Sequence, residues 1–301
     1  MKIQMREPDT STPKGIILAG GKGSRLYPLT IHTSKQLLPI YNKPMIYYPL
    51  SILIDNGIKD ILIIAMSRDM DAYKALLGDG SDLGIHITFA SQDIPKGIAE
   101  AFIIGEDFIG DDPVALILGD NIFYGDIRFS LNFSSRLDKA VIFACKVEDP
   151  SRYGVLKFDK DNPNNKPTAI VEKPKKPPSP YAVTGLYLYD NSVISIAKSL
   201  KPSKRGELEI TDLNQAYVNQ DQLSVRFLEK GVAWLDSGTP ESLMEASEFV
   251  KAVEKRQGIA VGCPEETAWK RGFISDRKLK SLGKKMVSTP YGQYLLKLLE
   301  K

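Results

Sequence analysis

Cysteine is scarce in this sequence: its 301 residues include only two, Cys145 and Cys263. Their spacing matches neither a short-range disulfide nor a cysteine-based metal site, which favours a reduced, cytoplasmic protein. Long apolar runs are also missing. The longest run near the front, residues 61–66, is far shorter than the roughly 20 residues that a membrane helix needs. The sequence therefore predicts no membrane-spanning segment.

Charge of one sign is not in excess either. The chain carries 40 basic and 37 acidic side chains, a formal net charge of +3, which excludes a strongly basic nucleic-acid-binding surface. Hydrophobic residues make up 43% and charged residues 26%, values typical of globular proteins and not of disordered chains, coiled coils or collagen. Residues 1–13 lack the apolar core of a secretory signal, so we expect a disordered leader.

Short aliphatic runs recur through the first half of the chain, at residues 15–19, 61–65, 85–90, 114–118 and 141–145. Such runs, without polar alternation, are typical of strands buried on both faces. Segments with helical spacing lie between them, at residues 45–56, 70–77 and 98–108. This alternation predicts an α/β fold with a doubly wound, mostly parallel sheet. Ligands bind at the carboxyl ends of the strands in such sheets.

The pattern changes after residue 150. Residues 155–158 and 168–172 flank a turn-rich stretch at 161–167, which predicts a β hairpin. A proline-rich connector at 173–180 leads to a predicted strand at 181–189, and a helix starting at 205–207 would bury Leu208, Leu213, Ala216 and Tyr217. From residue 240 onward the spacing predicts helices. We therefore divide the chain into a leader (1–13), a catalytic domain (14–240, with halves meeting near residue 150) and a helical C-terminal region (241–301).

A glycine-rich loop follows the first predicted strand directly. Gly20, Gly21 and Gly23 allow backbone N–H groups to approach an anion, and Lys22 and Arg25 add positive charge, so the loop predicts a phosphate-binding site. It is not a Walker loop, because neither Ser nor Thr follows Lys22. It is not a dinucleotide-binding fingerprint either, because position 26 is Leu instead of the third glycine. An ordinary tight turn is the alternative for the loop taken alone.

Ten motifs in a fixed order narrow the interpretation. They are GGKGSRLYPLT (20–30), SKQLLP (34–39), KPM (43–45), QDIPKGIA (92–99), LGDN (118–121), RYGV (152–155), EKP (172–174), VTG (183–185), RGELEITD (205–212) and WLDSGT (234–239). The series resembles the sugar nucleotidyltransferases, and most specifically the glucose-1-phosphate thymidylyltransferases of the longer type. Each motif is weak evidence, whereas the ordered series is very specific. The resemblance implies a Rossmann-like nucleotidyltransferase fold with a sugar-binding β insertion and a helical C-terminal region.

The resemblance also implies a reaction. A phosphate oxygen of α-D-glucose 1-phosphate would attack the α-phosphorus of dTTP, giving dTDP-glucose and pyrophosphate with Mg²⁺ as the cofactor. Because the sugar phosphate is already ionised, no general base is needed. Catalysis would come from aligning two anions and neutralising their charge. His32 and His86 are then expected to have no catalytic role.

Specific residues acquire roles through the resemblance. Asp120 and Asp236, each at the end of a predicted strand, would bind Mg²⁺, although a single aspartate in such a position often only caps a turn. Arg25 and Lys35 would hold the triphosphate, and Lys173 the sugar phosphate. The other implied nucleotide contacts are Leu18, Gly20, Gly21, Gly23, Gln36, Gln92, Gly97 and Asp120, and the other implied sugar contacts are Tyr153, Gly154, Glu172, Val183 and Arg205.

Regulation and assembly are implied as well. Longer members of the family form homotetramers with a second nucleotide site at a subunit interface, where the dTDP-sugar end product dTDP-L-rhamnose inhibits. Tyr124, Gly125, Cys263 and Glu266 match the segments that form this site. The resemblance implies neither a nucleic-acid partner nor a membrane partner.

Three alternatives stay open at this stage. A preference for UTP or CTP is one, because thymine and uracil differ by one methyl group, worth about 1 kcal/mol in a pocket. An inactive nucleotide-sugar-binding regulatory protein is the second, although the presence of all five predicted catalytic residues argues against it. A hydride-transferring dinucleotide enzyme is the third, and the missing third glycine weakens it.

Overall fold

The computed structural model describes residues 13–129, 139–159 and 166–300. The predicted leader, apart from residue 13, and most of the predicted hairpin turn lie outside the described residues. The strands are β1 (Lys14–Leu18), β2 (Pro39–Ile40), β3 (Lys43–Pro44), β4 (Asp60–Ala65), β5 (His86–Ser91), β6 (Val114–Leu118), β7 (Asn121–Tyr124), β8 (Ala140–Lys146), β9 (Gly154–Phe158), β10 (Pro167–Glu172), β11 (Tyr181–Tyr189), β12 (Leu223–Phe227) and β13 (Ala233–Asp236).

The α-helices surround these strands and are concentrated towards the C-terminus. They are α1 (Tyr47–Asp55), α2 (Met70–Leu77), α3 (Glu100–Ile104), α4 (Glu106–Ile109), α5 (Ser192–Ser199), α6 (Ile210–Asn219), α7 (Pro240–Gln257), α8 (Pro264–Lys270), α9 (Asp276–Lys285) and α10 (Pro290–Lys297). In the described part of the chain, no helix is both long enough and apolar enough to cross a membrane.

A parallel block of four strands forms the nucleotide half of the main sheet, in the order β5-β4-β1-β6. Successive residues of β1 point to opposite faces. Ile16 packs in one hydrophobic core and Ile17 in the other, and both side chains are fully buried. Burial on both faces explains why the sequence of this strand shows no polar alternation. The α/β prediction is confirmed.

Antiparallel strands extend the sheet on the other side. Strand β11 pairs antiparallel with β6, β8 and β9, and β9 pairs antiparallel with β10. The predicted strands on either side of the hairpin are thereby confirmed. Strand β12 pairs parallel with β8. The sheet therefore continues from the nucleotide half into the second half without a break.

A crevice opens where the order of the parallel strands reverses. Strand β1 lies between β4 and β6, so the loops that follow β1 and β6 leave the same edge of the sheet. This edge is where α/β sheets bind ligands. A two-stranded ribbon of β7 and β13 adds to it, with Asp236 opposite Asn121 in the register.

The predicted helical C-terminal region is confirmed. Helix α7 begins with a capping box between Thr239 and Ser242, and its buried residue Val250 joins a small core with Ile40 and Tyr48. Leu279 of α9 and Leu295 of α10 are fully buried in the core that also contains α1. These helices therefore pack directly on the catalytic part of the chain.

Two predicted helix boundaries are wrong. The helix expected at residues 98–108 is divided into α3 and α4 at Gly105. The helix expected to start at residues 205–207 begins at Ile210, because the backbone of Leu208 is already paired with the loop before α3: its N–H donates to the Lys96 carbonyl at 2.6 Å, and its carbonyl accepts from the Ala99 N–H at 3.2 Å.

Candidate active site

A cleft of about 530 Å³ lies at the carboxyl edge of the parallel strands. All 17 predicted catalytic, nucleotide-binding and sugar-binding residues line it, although they come from segments up to 218 positions apart (236 − 18). The four predicted regulatory residues do not line it. The fold therefore gathers the predicted substrate contacts in one place.

The glycine-rich loop adopts a backbone conformation that favours glycine. Gly21 has φ 102° and Gly23 has φ 60°, both in the left-handed region. Thr30 stabilises the loop by donating to the Gly23 carbonyl at 2.7 Å. A Cβ at Gly20 would lie 2.7 Å from Oε1 of Gln92, so a larger residue there would collide with a predicted nucleotide contact. The loop also presents Arg25, from a single 3₁₀ turn, to the cleft.

Lys35 and Gln36 lie on a short 3₁₀ turn and are both buried. The Lys35 ammonium forms an ion pair with Oδ2 of Asp120. Burial alone would raise the pKa of Asp120, but the charge of Lys35 and the hydrogen bonds from Lys35 and Asn121 outweigh it, and the pKa is lowered. Asp120 is therefore held as a carboxylate at the end of β6.

Asn121 is a functional candidate that the sequence analysis missed, although it directly follows Asp120 in the LGDN motif. Its amide donates to Oδ1 of Asp120 at 2.9 Å. Its carbonyl oxygen accepts from the Gly185 N–H at 3.0 Å and from the Trp234 indole N–H at 2.6 Å. One buried side chain thus fixes the Asp120 carboxylate relative to strands β11 and β13.

The second predicted metal ligand, Asp236, lies beside the first. The Ser237 N–H donates to the backbone carbonyl of Asp120 at 3.2 Å, which ties the end of β13 to the end of β6. Nη2 of Arg152 is 3.3 Å from Oδ2 of Asp236. Arg152 was not predicted as a site residue, although it begins the RYGV motif. The backbones of the two aspartates are therefore joined, and each carboxylate is paired with a cation.

Aromatic side chains form the wall next to Asp236. The rings of Tyr153 and Trp234 have centroids 5.0 Å apart. Burial, followed by the nearby negative charge of Asp236, raises the pKa of Tyr153 to about 12. Tyr153 therefore stays a neutral hydroxyl at physiological pH and cannot serve as an anionic base.

Glu172 organises the sugar half of the cleft. Its carboxylate accepts from the Thr211 hydroxyl at 2.5 Å and lies 3.3 Å from Nζ of Lys173 and 3.5 Å from Nη2 of Arg205. Arg205 also forms a closer pair with Glu209 at 2.8 Å, a residue that was not among the predicted contacts. Two cations are thus brought together around one carboxylate.

Gly97 packs closely against another part of the backbone. We expected it to let the backbone approach the base, and this stays a prediction; in addition, a Cβ at this position would lie 2.3 Å from the Leu208 carbonyl oxygen. Its φ of 102° independently favours glycine. Gln92 is held beside it, with its amide donating to Glu100 at 2.8 Å. Gly97 therefore joins the loop between β5 and α3 to the segment before α6.

The predicted regulatory residues form two separate groups. Tyr124 donates a hydrogen bond to Gln257 at the end of α7 at 2.8 Å, and Gly125 follows it with φ 114°. Cys263 is buried beside Tyr291, and Glu266 accepts from the Tyr294 hydroxyl at 2.7 Å. Burial raises the pKa of the Cys263 thiol. Both groups lie outside the cleft.

The residues present suit a divalent metal of the hard type. Asp120 and Asp236 supply only carboxylate oxygens, which Mg²⁺ prefers, and a triphosphate and water would complete its six ligands. The described residues contain no cluster of three or more His, Cys, Asp or Glu side chains that would make a closed metal site. The site fits a metal that is shared with a phosphate ligand.

The class of the protein follows from comparison with known families. The family model described as "Nucleotidyl transferase" matches residues 14–253, and the chain belongs to this nucleotidyltransferase family. Members of the family generally use a divalent metal.

More specific similarity comes from curated relatives named glucose-1-phosphate thymidylyltransferase. The relative from Mycolicibacterium smegmatis is 55% identical over 96% of this chain and 99% of its own length, and the one from Neisseria meningitidis serogroup A is 54% identical over 96% and 100%. A crystal structure assigned as a glucose-1-phosphate thymidylyltransferase from Bacillus anthracis superposes with a TM-score of 0.73, at 46% identity, over 78% of this chain and 94% of that one.

Proposed function

We propose that this protein transfers a thymidylyl group from dTTP to α-D-glucose 1-phosphate, releasing pyrophosphate and forming dTDP-glucose. The observation that carries the proposal is that one cleft is lined by Arg25 and Lys35, by Lys173 and Arg205, and by the carboxylates of Asp120 and Asp236. Two polyanions need cations on both sides of the point where they react. The names of the relatives that match almost the whole chain support this choice of substrates.

The proposed reaction needs alignment more than acid–base chemistry. A phosphate oxygen of the sugar phosphate forms a bond to the α-phosphorus, and the bond from that phosphorus to the bridging oxygen breaks, so that pyrophosphate leaves with the electron pair. Lys173 and Arg205 hold the nucleophile, and Arg25 neutralises the leaving group. Lys35 contacts the α-phosphoryl group while it stays close to Asp120.

Asp120 and Asp236 would hold Mg²⁺, which when bound neutralises phosphate charge and orients the triphosphate. The base would lie over Leu18 and between Gln36 and Gln92, whose amides can pair with both donors and acceptors of a pyrimidine. On the sugar side, the hydroxyl of Thr184 is buried without a partner among the described residues and lines the cleft.

Pyrophosphate release tests the proposal directly. The assay combines glucose 1-phosphate and Mg²⁺ with dTTP, UTP, CTP, ATP or GTP in parallel, with and without EDTA. We expect EDTA-sensitive release that is fastest with dTTP. Binding of dTTP without any release would support the inactive regulatory protein instead, and a faster reaction with UTP or CTP would replace the nucleotide in the proposal.

A lysine pair provides a matched control for the sugar side. Lys173→Met should raise the KM for glucose 1-phosphate, because it removes a cation from the cleft. Lys175→Met removes an exposed cation two positions further on and should leave the KM unchanged. Equal effects of the two substitutions would contradict the assignment of Lys173.

The proposal also covers assembly, location and regulation. We infer a cytoplasmic homotetramer in which the helical region at 241–301 contributes to subunit contacts. We also infer that dTDP-L-rhamnose inhibits the enzyme by binding at Tyr124, Gly125, Cys263 and Glu266. The hydrogen bond between Tyr124 and Gln257 supports only a link between the predicted regulatory residues and the helical region. Sedimentation analysis and activity measured with dTDP-L-rhamnose test these points. Activity that does not change well above substrate concentrations would end the regulatory proposal.

A further inference from the structure

Arg152 is a charged residue of the cleft to which the proposed reaction gives no role. Its guanidinium contacts Asp236, with Nη2 3.3 Å from Oδ2, and its side chain is 44% exposed. It also lies over the ring of Tyr153, 5.8 Å from the centroid. Tyr153 in turn packs against Trp234. The side chain is therefore held against the wall of the cleft with one face open to an incoming ligand.

The two carboxylates that would bind the metal differ in how strongly their cations are held. Lys35, which pairs with Asp120, has a side chain that is 10% exposed, whereas Arg152 is 44% exposed. A divalent cation and a guanidinium repel each other, so the ion pair of Arg152 with Asp236 opposes metal binding at that carboxylate. Of the two cations paired with the predicted metal ligands, Arg152 is the more exposed and therefore the one that can move.

A second guanidinium, that of Arg25, lies near Asp236. A Cβ placed on Gly238 would lie 3.4 Å from Oδ2 of Asp236 and also 3.4 Å from Nη1 of Arg25. Arg25 is therefore close to the carboxylate that Arg152 contacts. Guanidinium groups bind phosphate oxygens in pairs of parallel hydrogen bonds, so two of them suit a pyrophosphate.

We propose that Arg152 competes with the metal ion for Asp236 in the protein without nucleotide and binds the departing pyrophosphate once the metal has displaced it. The inference rests on the proposed function and names a further residue for it. Its consequence is that free metal binds weakly, because it must first break the pair between Arg152 and Asp236. The triphosphate favours the exchange, because it offers Arg152 a new anionic partner.

Metal binding without substrates separates this role from a structural one. Mn²⁺ serves as the probe, and its free concentration is counted by electron paramagnetic resonance in the absence of nucleotide. Arg152→Ala should bind Mn²⁺ about 3- to 5-fold more tightly than the wild type, the factor that corresponds to a partly exposed ion pair. A residue that only supported the site would, when removed, weaken Mn²⁺ binding instead.

The second half of the proposal, that Arg152 binds pyrophosphate, is tested with the reverse reaction. In that direction pyrophosphate and dTDP-glucose are the substrates and dTTP is a product. The same variant should raise the KM for pyrophosphate about tenfold, roughly the loss of one strong ionic contact, and leave the KM for dTDP-glucose within about twofold. Arg152→Lys keeps the charge but not the planar fork, so it should bind Mn²⁺ like the wild type and still raise the KM for pyrophosphate.

Arg128→Ala is the matched control, because Arg128 is an exposed arginine that also pairs with an aspartate, Asp126, but does not line the cleft. The Arg128→Ala substitution should change neither the affinity for Mn²⁺ nor the KM for pyrophosphate. Equal or weaker Mn²⁺ binding by a folded Arg152→Ala would overturn the competition, and an unchanged KM for pyrophosphate would overturn the second role. A wild type that releases no pyrophosphate would overturn the proposed function instead, and the Mn²⁺ measurement does not depend on that activity.

Discussion

Substituting Asn121 by Leu or by Asp should separate its contribution to the fold from its contribution to Asp120. The side chain is 3% exposed and makes three hydrogen bonds to other residues. Leu removes the acceptor for two donors, the Gly185 N–H and the Trp234 indole N–H. Asp keeps that acceptor but replaces the amide that donates to Asp120 with a second carboxylate oxygen.

The magnitude for Asn121→Leu follows from the two donors left without a partner. Each buried unpaired donor costs about 1–3 kcal/mol, so the variant should lose about 2–6 kcal/mol. An unfolding entropy of about 2.1 cal/mol/K per residue, over 301 residues, amounts to about 0.6 kcal/mol/K. The Tm of Asn121→Leu should therefore fall by about 3–10 °C.

Asn121→Asp should affect activity more than stability. Both donors keep a partner, so the fall in Tm should be smaller than for Leu. The new carboxylate would face Oδ1 of Asp120 across a contact that is 2.9 Å in the wild type, where two negative charges repel each other. Turnover should fall by roughly 100-fold, the order of effect seen when a charge-stabilising group is lost.

Thermal unfolding and pyrophosphate release measure the two effects on the same samples. Asn191→Leu is the control, because Asn191 is exposed and its side chain makes no capping hydrogen bond to α5. A wild-type Tm for Asn121→Leu would refute the hydrogen-bond reasoning. Wild-type turnover for Asn121→Asp would refute the claim that Asn121 positions Asp120.

Three further predictions concern the predicted metal ligands, the loop between β5 and α3, and a buried ion pair. Asp120→Ala or Asp236→Ala should lower turnover by several orders of magnitude with an unchanged circular dichroism spectrum, because a metal ligand is lost. Gly97→Ala should lower the free energy of unfolding, measured with denaturant, by about 2–3 kcal/mol, because its Cβ would lie 2.3 Å from a backbone oxygen. The same substitution should raise the KM for dTTP. Lys43→Met should cost about 3–5 kcal/mol in the same assay, because it leaves the buried Glu254 carboxylate without the ammonium now 2.7 Å away.

Each of these predictions has a matched comparison. Asp126→Ala removes an aspartate outside the cleft and should keep full turnover. Gly110→Ala places a residue at φ 57° with no heavy atom of the described chain within 4 Å of its Cβ, so only backbone strain of about 1 kcal/mol is expected. Adding Glu254→Gln to Lys43→Met should recover part of the lost stability. No recovery would show that the cost of Lys43→Met is not electrostatic.

Local pattern was sufficient for most of the fold. The aliphatic runs predicted β1, β4, β5, β6 and β8 to within one residue at each end, because a strand buried on both faces leaves a continuous apolar signature. The glycines at positive φ after β1 were recognised for a similar reason, since their backbone conformation excludes most other residues.

Long-range contacts account for the errors. Helix α6 begins at Ile210 because the Leu208 backbone pairs with a loop about 110 positions earlier, and no local signal reports that pairing. The same contact explains why Gly97 packs against protein and not only against the cleft. Arg152 and Asn121 were missed because Asp236, Gly185 and Trp234, which they contact, lie on distant strands. Glu209 pairs with Arg205 only four positions away, so its partner was within reach of a local pattern.

The sequence by itself determined the α/β class, the loop that suits a phosphate and, through its ordered motifs, the family. Such features depend on apolar spacing, on glycine conformation and on residue identity, which are all local properties. Only the tertiary structure decided which charges meet. The pairing of Lys35 with Asp120 and of Arg152 with Asp236 joins residues 85 and 84 positions apart. Those pairs form because the turn that carries Lys35, the end of β6 and the ribbon of β7 and β13 meet at one edge of the main sheet, an arrangement set by the packing of the whole chain.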